Sequence, residues 1–101
     1  MANLKILRLV TGEEILGKVI SDDEKEIELE NPIRIVVMPS KADPNNPSVG
    51  FAPYLQWTEE KVLTFRYEHI LNIVNPITEF VNQYNTAFGG LVVPNSKIIT
   101  P

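Results

Sequence analysis

The segment between residues 26 and 37 has the most regular alternation of apolar and polar residues in the sequence. The apolar positions are Ile27, Leu29, Ile33, Ile35 and Val37, and the charged positions of the other parity are Glu26, Glu28, Glu30 and Arg34. A period of two predicts a strand with one buried face and one solvated face. Because Pro32 has no N–H to donate, we expect a bulge or an unpaired edge there, and a bend in the strand.

Shorter segments rich in aliphatic and aromatic residues lie on both sides of this strand, separated by turn residues such as Gly12. They are 4–10, 14–20, 51–57, 62–67 and 70–74. Gly17 lies inside one of them, which indicates a bend or a close approach of the backbone, and Pro53 restricts another to an edge. The pattern predicts a mostly β fold: a small, strongly bent five-stranded antiparallel open barrel.

A helical period replaces the period of two near the end of the chain. Asn75 suits the N-cap, and Pro76 suits the first helical position, where its missing N–H has no cost. The apolar stripe consists of Ile77, Phe80, Val81, Tyr84 and Phe88. We therefore predict a C-terminal amphipathic helix over 76–88 that packs on the core and ends at Gly89 and Gly90.

The length of 101 residues suits one domain and is too short for two. We expect a single domain over 1–101, with the barrel over 4–75 and, beyond the helix, a tail over 89–101. The segment 39–50, rich in proline and asparagine, is expected to form the longest loop. A domain of this size buries a modest core, so further apolar surface is better buried against a partner.

Composition argues against several classes of protein. There is no cysteine, so neither a disulfide framework nor a thiolate metal site is expected. No apolar run approaches the ~20 residues that span a bilayer, and the first residues do not resemble a signal peptide. No catalytic or metal-binding constellation stands out. We expect a non-enzymatic, soluble, cytoplasmic protein with no cofactor, no metal and no membrane partner.

The net charge of −4 is unevenly distributed. Nearly half of the thirteen acidic residues lie between Asp22 and Glu30, whereas acids and bases balance over 31–101. Non-specific nucleic-acid binding depends on neutralising phosphates, so an acidic chain without a basic block is a poor candidate for it. The acidic run is interpreted as a solvated strand face, which leaves room for a local binding site.

Two segments resemble the sequence motifs of the Sm/LSm family of ring-forming proteins. Residues 9–19 (LVTGEEILGKV) look like the first motif, two strands joined by a glycine turn. Residues 65–74 (FRYEHILNIV) look like the second, a basic residue in a tight turn before an aliphatic strand, and 67–69 resembles the Tyr-Lys-His turn of the family's bacterial RNA chaperone. Asn-Pro at 31–32 and the Pro-x-x-Glu-Phe sequence at 76–80 look like the Sm-like proteins of phage genomes.

The resemblance implies a homo-oligomeric ring of five to seven subunits and an RNA site at its pore. The family's RNA pocket uses an Asp/Asn pair after the second strand and a basic pair in the last turn. Asp22 or its neighbour Asp23 matches the aspartate, and Arg66 matches the basic residue. Together with Tyr67 and His69, Asp22 and Arg66 form the candidate RNA-binding set.

The sequence also departs from the family. No asparagine lies in 21–30, Tyr67 replaces the glycine of the basic pair, and Glu68 occupies the alternative lysine position, where it would repel a phosphate. The family's usual helix precedes the first strand, whereas here the predicted helix follows the last. The resemblance therefore supports a ring better than it supports RNA binding.

Two main alternatives stay open. The first is a homo-oligomeric ring that binds single-stranded RNA; the second is a ring-shaped scaffold for protein partners that binds no nucleic acid. A small enzyme is the third hypothesis, and it lacks an activated nucleophile or a supported acid/base pair. The aromatic residues Phe51, Tyr54, Trp57 and Tyr67 either stack on bases or pack in the core and at a subunit contact.

Overall fold

The computed structural model describes residues 3–38, 45 and 47–88. The predicted tail lies outside the described residues, as does most of the predicted loop over 39–50. Within the described part, six strands form one antiparallel sheet and one α-helix follows the last strand. The elements are β1 (Leu4–Leu9), β2 (Glu14–Asp22), β3 (Glu26–Met38), β4 (Ser48–Pro53), β5 (Val62–Arg66), a 3₁₀ turn (Tyr67–His69), β6 (Ile70–Val74) and α1 (Thr78–Phe88).

The sheet follows the order β4-β3-β2-β1-β6, and β5 pairs with β3 as well. β4 pairs with residues 33–38 of β3, and β5 pairs with residues 26–30. β4 and β5 therefore lie end to end along the same long strand, and the chain leaves the sheet between them over 54–61. We call these residues the 54–61 segment.

The predicted fold class is confirmed: the chain is mostly β, with an open, bent antiparallel sheet and a C-terminal helix. The number of strands differs, since the described residues form six where five were expected. Pro53 has no N–H to continue the ladder, β4 ends there, and β5 resumes the pairing with β3 at Val62. The second half of the strand predicted over 51–57 therefore belongs to the 54–61 segment.

The bend of β3 is a bulge at Asn31 and Pro32. The register between β2 and β3 shifts so that these two residues lie opposite Gly17 alone. Asn31 has a φ of 50°, in the left-handed region that asparagine tolerates better than most residues. A Cβ on Gly17 would lie 2.9 Å from the Cβ of Leu29, so only glycine lets the two strands approach this closely. The predicted bulge and close approach are both confirmed.

Two clusters of buried side chains form the core. The strand cluster consists of Leu7, Leu9, Ile15, Ile27, Leu29 and Phe65. The helix-side cluster consists of Leu4, Leu16, Ile33 and Tyr84, with Phe51, Phe80 and Val81 packed against it. The helix thus closes the second cluster, as the predicted packing of its apolar stripe requires.

Tyr84 attaches α1 to the bulge. Its hydroxyl donates to the carbonyl oxygen of Glu30 at 2.6 Å and lies 3.2 Å from that of Asn31. Burial raises the pKa of Tyr84 to about 12, because the phenolate would lose its hydration. The rings of Phe80 and Phe51 meet edge to face beside this contact, with centroids 5.4 Å apart.

The helix begins at Thr78 rather than at Pro76. The N–H groups of Phe80 and Val81 donate to the carbonyl of Ile77. The side-chain oxygen of Asn75 instead accepts a hydrogen bond from the Nζ of Lys5 at 2.5 Å. The prediction of Asn75 as N-cap is therefore wrong, since a long-range contact with β1 uses the amide that would have capped the helix.

Candidate functional site

Two of the predicted site residues, Asp22 and Tyr67, are in direct contact. Asp22 ends β2, and Tyr67 opens the 3₁₀ turn that follows β5. The Tyr67 hydroxyl donates to Oδ1 of Asp22 at 2.6 Å, and the Tyr67 N–H donates to the carbonyl of Lys25 at 2.9 Å. The β2–β3 turn and the 3₁₀ turn are therefore joined by both a side-chain and a backbone hydrogen bond.

The hydrogen bond to Asp22 also raises the pKa of Tyr67 to about 12. The carboxylate stabilises the neutral phenol that donates to it, and the negative charges of Asp22 and Glu24 oppose a phenolate. Tyr67 is therefore a neutral hydroxyl at physiological pH, with its proton directed at a carboxylate. A ligand that approaches this pair meets the Asp22 carboxylate, which already accepts a hydrogen bond from Tyr67.

Asp23, the alternative match for the family's aspartate, shapes the β2–β3 turn. Its Oδ1 accepts hydrogen bonds from the N–H groups of Glu26 at 2.7 Å and Lys25 at 2.9 Å. These two hydrogen bonds lower the pKa of Asp23, and the bond from Glu26 contributes most to the shift. Glu24, which lies between Asp23 and Lys25 in this turn, has a φ of 67°. Of the two aspartates, Asp22 is the one that contacts Tyr67.

Arg66 and His69 each have a carboxylate close by. The Nε of Arg66 lies 3.9 Å from Oε2 of Glu26, and Nε2 of His69 lies 3.6 Å from Oε2 of Glu68. All four side chains are exposed, so these pairs contribute little to stability. They do place a carboxylate beside both Arg66 and His69, where it would repel a phosphate.

Arg66 and His69 also line one open groove of about 530 Å³. Its walls come from the end of β1, the residues after β4 and the outer part of β5, and the other residues in it include Val10, Thr11, Tyr54 and Leu55. The backbone carbonyl of His69 accepts a hydrogen bond from the Val10 N–H at 2.8 Å, which holds the 3₁₀ turn against the end of β1.

Three of the four candidate stacking residues are already in contact with other groups. Tyr54 packs on Phe65 with ring centroids 5.4 Å apart, Phe51 packs on α1, and the hydroxyl of Tyr67 is bound to Asp22. Trp57 differs from them, since 96% of its surface is exposed. Phe51 and Tyr54 therefore pack in the core, whereas Trp57 is the surface aromatic of this set.

Three strands have one unpaired edge within the described residues. β4 and β5 each pair with β3 alone, and β6 pairs with β1 alone, so each has one row of backbone N–H and C=O groups without a strand beside it. Exposed apolar side chains accompany these edges: Val49 on β4, Val62 on β5, and Leu71 and Val74 on β6. Such an edge is an attachment site for another strand.

The model of the Sm_like domain matches residues 6–85. The chain belongs to the Sm-like family. The match includes both segments that resemble the family's motifs and continues through most of α1. No curated protein matches the chain.

The sequence missed part of this Sm-like chain's exposed apolar surface. Ile77 belongs to the apolar stripe that is predicted to pack on the core, yet it is exposed, and Leu71 and Val74 on the last strand are exposed as well. The available signal was the presence of apolar residues at both parities of 70–74, which indicates a strand whose two faces are both apolar.

Neither a candidate metal-ion site nor a candidate membrane-spanning helix is found in the described part of the Sm-like chain. Among residues 3–38, 45 and 47–88, no three metal-ligating side chains come together as a possible ion site. Over the same residues, no helix has both the length and the apolar character to cross a membrane.

Proposed function

We propose that this chain is a non-enzymatic Sm-like protein that assembles into a homo-oligomeric ring of five to seven subunits. The observation that carries the proposal is the pair of unpaired, apolar strand edges on β5 and β6. Their backbone groups gain hydrogen bonds when β5 of one copy pairs with β6 of the next. Sm-like domains generally form oligomeric rings, which supports the same assembly.

The two edges are different surfaces, so their contact is head-to-tail. A head-to-tail contact repeats around an axis and closes into a ring when the rotation between neighbours allows it. Both strands have five residues, so a fully overlapped antiparallel pair has Val62 opposite Val74 of the neighbouring copy and Phe65 opposite Leu71 of the neighbouring copy. This register buries the exposed apolar side chains of both edges.

Native mass spectrometry at micromolar concentration tests the assembly. We expect a closed oligomer for the unmodified chain and monomers for the edge variants Val62→Lys and Leu71→Lys, because a lysine on an edge prevents strand pairing. Val37→Lys is the control: Val37 is about as exposed as Leu71, but it lies on β3, where it pairs with Val49 of β4 and is part of neither the β5 edge nor the β6 edge. A monomeric unmodified chain would overturn the proposal.

The ligand of the ring is a separate question, and the local charges favour protein partners over RNA. Arg66 and His69 each lie near a glutamate, and Asp22 accepts a hydrogen bond from the Tyr67 hydroxyl. Asp23 and Glu24 add two more carboxylates in the adjacent β2–β3 turn. A phosphate backbone would be repelled by these carboxylates. We therefore propose a ring-shaped scaffold for proteins, with RNA binding at Asp22, Arg66, Tyr67 and His69 as the second candidate.

Filter binding with U-rich and A-rich single-stranded RNA at low salt discriminates between the two candidates. A scaffold should show no saturable binding of either oligonucleotide. Saturable binding that weakens steeply with added salt, and that is lost in Arg66→Ala or His69→Ala, would instead establish the RNA site. The groove that these two side chains share is the observation that keeps this candidate in the test.

The proposal extends to origin and location. The resemblance to the Sm-like proteins of phage genomes supports a ring that acts in the cytoplasm of a bacterial host. The Asn-Pro pair that carries part of this resemblance forms the bulge of β3, so it is a structural feature of the barrel. Fractionation of a bacterial lysate by centrifugation tests this location. Recovery of the protein in the soluble supernatant would support it, and recovery with the sedimented membranes would contradict it.

A further inference from the structure

We propose that the 54–61 segment docks, through Trp57, on the residues Val74–Ile77 of the neighbouring copy. We call Val74–Ile77 the β6 corner. The inference rests on the proposed ring and adds a second contact to it, beside the strand pairing and outside the sheet. Its occupant is another copy of this chain.

The antiparallel pairing of the two edges determines which ends meet. When β5 lies against β6 of the next copy, the residues that precede Val62 lie beside the residues that follow Val74 of that copy. Trp57 precedes Val62 by a short stretch of the 54–61 segment, and Ile77 follows Val74 closely. The segment and the β6 corner therefore come together at the same end of the interface, whatever the number of subunits.

Both surfaces carry exposed apolar side chains. Trp57 is 96% exposed and Leu55 is 51% exposed, while Ile77 in the β6 corner is 57% exposed and Val74 is 49% exposed. A tryptophan buries roughly 150–250 Å² when it is covered, and tryptophan is enriched among the residues that dominate binding energy at interfaces. A single copy leaves this area in water, and a neighbour on the β5 edge covers it.

The two surfaces offer one complementary pair of charges, beside Lys61 in the segment and Glu79 just after the β6 corner. Glu59 and Glu60 follow Trp57 in the 54–61 segment and are exposed. The β6 corner has Lys5 beside it, since the Lys5 Nζ donates to the side-chain oxygen of Asn75. An ammonium group has three N–H donors, so Lys5 retains donors for a carboxylate of the neighbouring copy. This arrangement favours one orientation of the two copies.

The 54–61 segment is held at both ends on the bulge of β3. The Tyr54 N–H donates to the carbonyl of Pro32 at 3.4 Å, and the carbonyl of Lys61 accepts from the Asn31 N–H at 2.6 Å. Within the segment, the Glu60 N–H donates to Oγ1 of Thr58 at 3.1 Å. The segment therefore leaves the sheet in a defined conformation, which lowers the entropy that docking would cost.

Trp57 is the only tryptophan in the chain, so its fluorescence reports on this contact directly. The assembled chain should show a blue-shifted emission and several-fold weaker acrylamide quenching than the Leu71→Lys variant, whose Trp57 should behave like a fully hydrated indole. Ile77→Gln should shift the emission towards that of the hydrated indole while native mass spectrometry still detects the ring. Val37→Gln, which changes an exposed residue away from both surfaces, should leave the emission unchanged.

Each outcome decides the inference. A ring whose Trp57 is quenched as strongly as in Leu71→Lys would overturn the docking contact and leave the proposed ring standing. A monomeric unmodified chain would overturn both. Shielding of Trp57 that persists in Leu71→Lys would place the contact within one copy and would also overturn the inference. Shielding that is lost in both Leu71→Lys and Ile77→Gln supports it.

Discussion

The two sides of this barrel treat apolar surface in opposite ways. On the helix side, α1 covers Leu16 and Ile33, and Tyr84 donates a hydrogen bond at the bulge of β3. On the edge side, the described residues leave Leu71 and Val74 exposed along an unpaired strand. A domain of this size has enough chain to cover one side of its sheet. The comparison indicates that the helix side stabilises the subunit, whereas the edge side is the surface of the proposed assembly.

The largest expected difference is between two leucines. Leu16→Ala should lower the free energy of unfolding by about 2 to 5 kcal/mol, because Leu16 is 0% exposed and its removal leaves a cavity. Leu71→Ala should change it by about 0.5 kcal/mol or less, because Leu71 is 59% exposed. Urea denaturation of both variants in a Val62→Lys background, where assembly is blocked, measures the subunit alone. Equal losses would contradict the comparison.

A second pair of variants tests the bend that α1 covers. In Gly17→Ala the new Cβ would lie 2.9 Å from the Cβ of Leu29, so the strands must separate, at a cost of about 1 to 3 kcal/mol in unfolding free energy. In Gly50→Ala the nearest atom is the terminal Cε of the exposed Met38, at 3.1 Å, which can rotate away. Thermal denaturation of the two variants should therefore show a large loss for Gly17→Ala alone. A comparable loss in Gly50→Ala would argue against the bend as the cause.

The two tyrosines with a raised pKa give a finer comparison. Tyr84→Phe removes a half-buried donor from the carbonyl oxygen of Glu30, so we expect a loss of about 1 kcal/mol in the free energy of unfolding. Tyr67→Phe removes an exposed hydroxyl bound to Asp22, and the unfolding midpoint should stay within experimental error. A loss for Tyr67→Phe as large as that for Tyr84→Phe would show that the turns on the edge side also stabilise the subunit.

The alkaline pH dependence of stability separates the same two sides. The folded chain raises the pKa of Tyr84 from 10.0 to about 12, so its contribution is complete below pH 10 and is lost as the pH rises towards 12. Tyr84→Phe should therefore lose less stability than the unmodified chain between pH 10 and pH 12. Circular dichroism melting curves across this range measure the difference. Parallel curves for the two proteins would contradict the assigned pKa shift.

The smallest expected effect concerns Asp23 in the exposed β2–β3 turn. Its pKa is lowered in the folded chain by hydrogen bonds from the N–H groups of Glu26 and Lys25. A lowered pKa contributes stability above the unfolded value of 3.8, and this contribution disappears as the pH falls through the folded value. Asp23→Asn should therefore be slightly less stable than the unmodified chain at neutral pH and equal to it in strong acid. A constant difference at all pH values would contradict this prediction.

The sequence predicted those features that depend on a few neighbouring residues. The bulge at Pro32 follows from the missing N–H, and the close approach at Gly17 follows from the missing Cβ. The pairing of both β4 and β5 with β3 was not predicted, because the partners of a strand depend on the whole sheet. The helix start was misplaced for the same reason, since Lys5 on β1 binds Asn75 and no local pattern indicates that contact.

The candidate site was predicted only in part. Asp22, Arg66, Tyr67 and His69 were chosen by resemblance, and the structure joins Asp22 to Tyr67 and places Arg66 and His69 on one groove. The carboxylate that lies beside Arg66 could not be assigned from the sequence. Glu26 approaches Arg66 because β3 pairs with β5, a register that brings together residues far apart in the chain.

By itself, the sequence determined the strand periods, the bulge and the apolar stripe of the helix, because side-chain periodicity and the backbone limits of proline and glycine act between neighbouring residues. Only the tertiary structure decided which apolar residues are covered. Tyr84 is buried and Ile77 is exposed although both lie on the predicted stripe, because α1 begins only at Thr78 and packs on the helix-side cluster through Phe80, Val81 and Tyr84. The edges of β5 and β6 are unpaired for a similar reason: strand pairing is a property of the whole sheet.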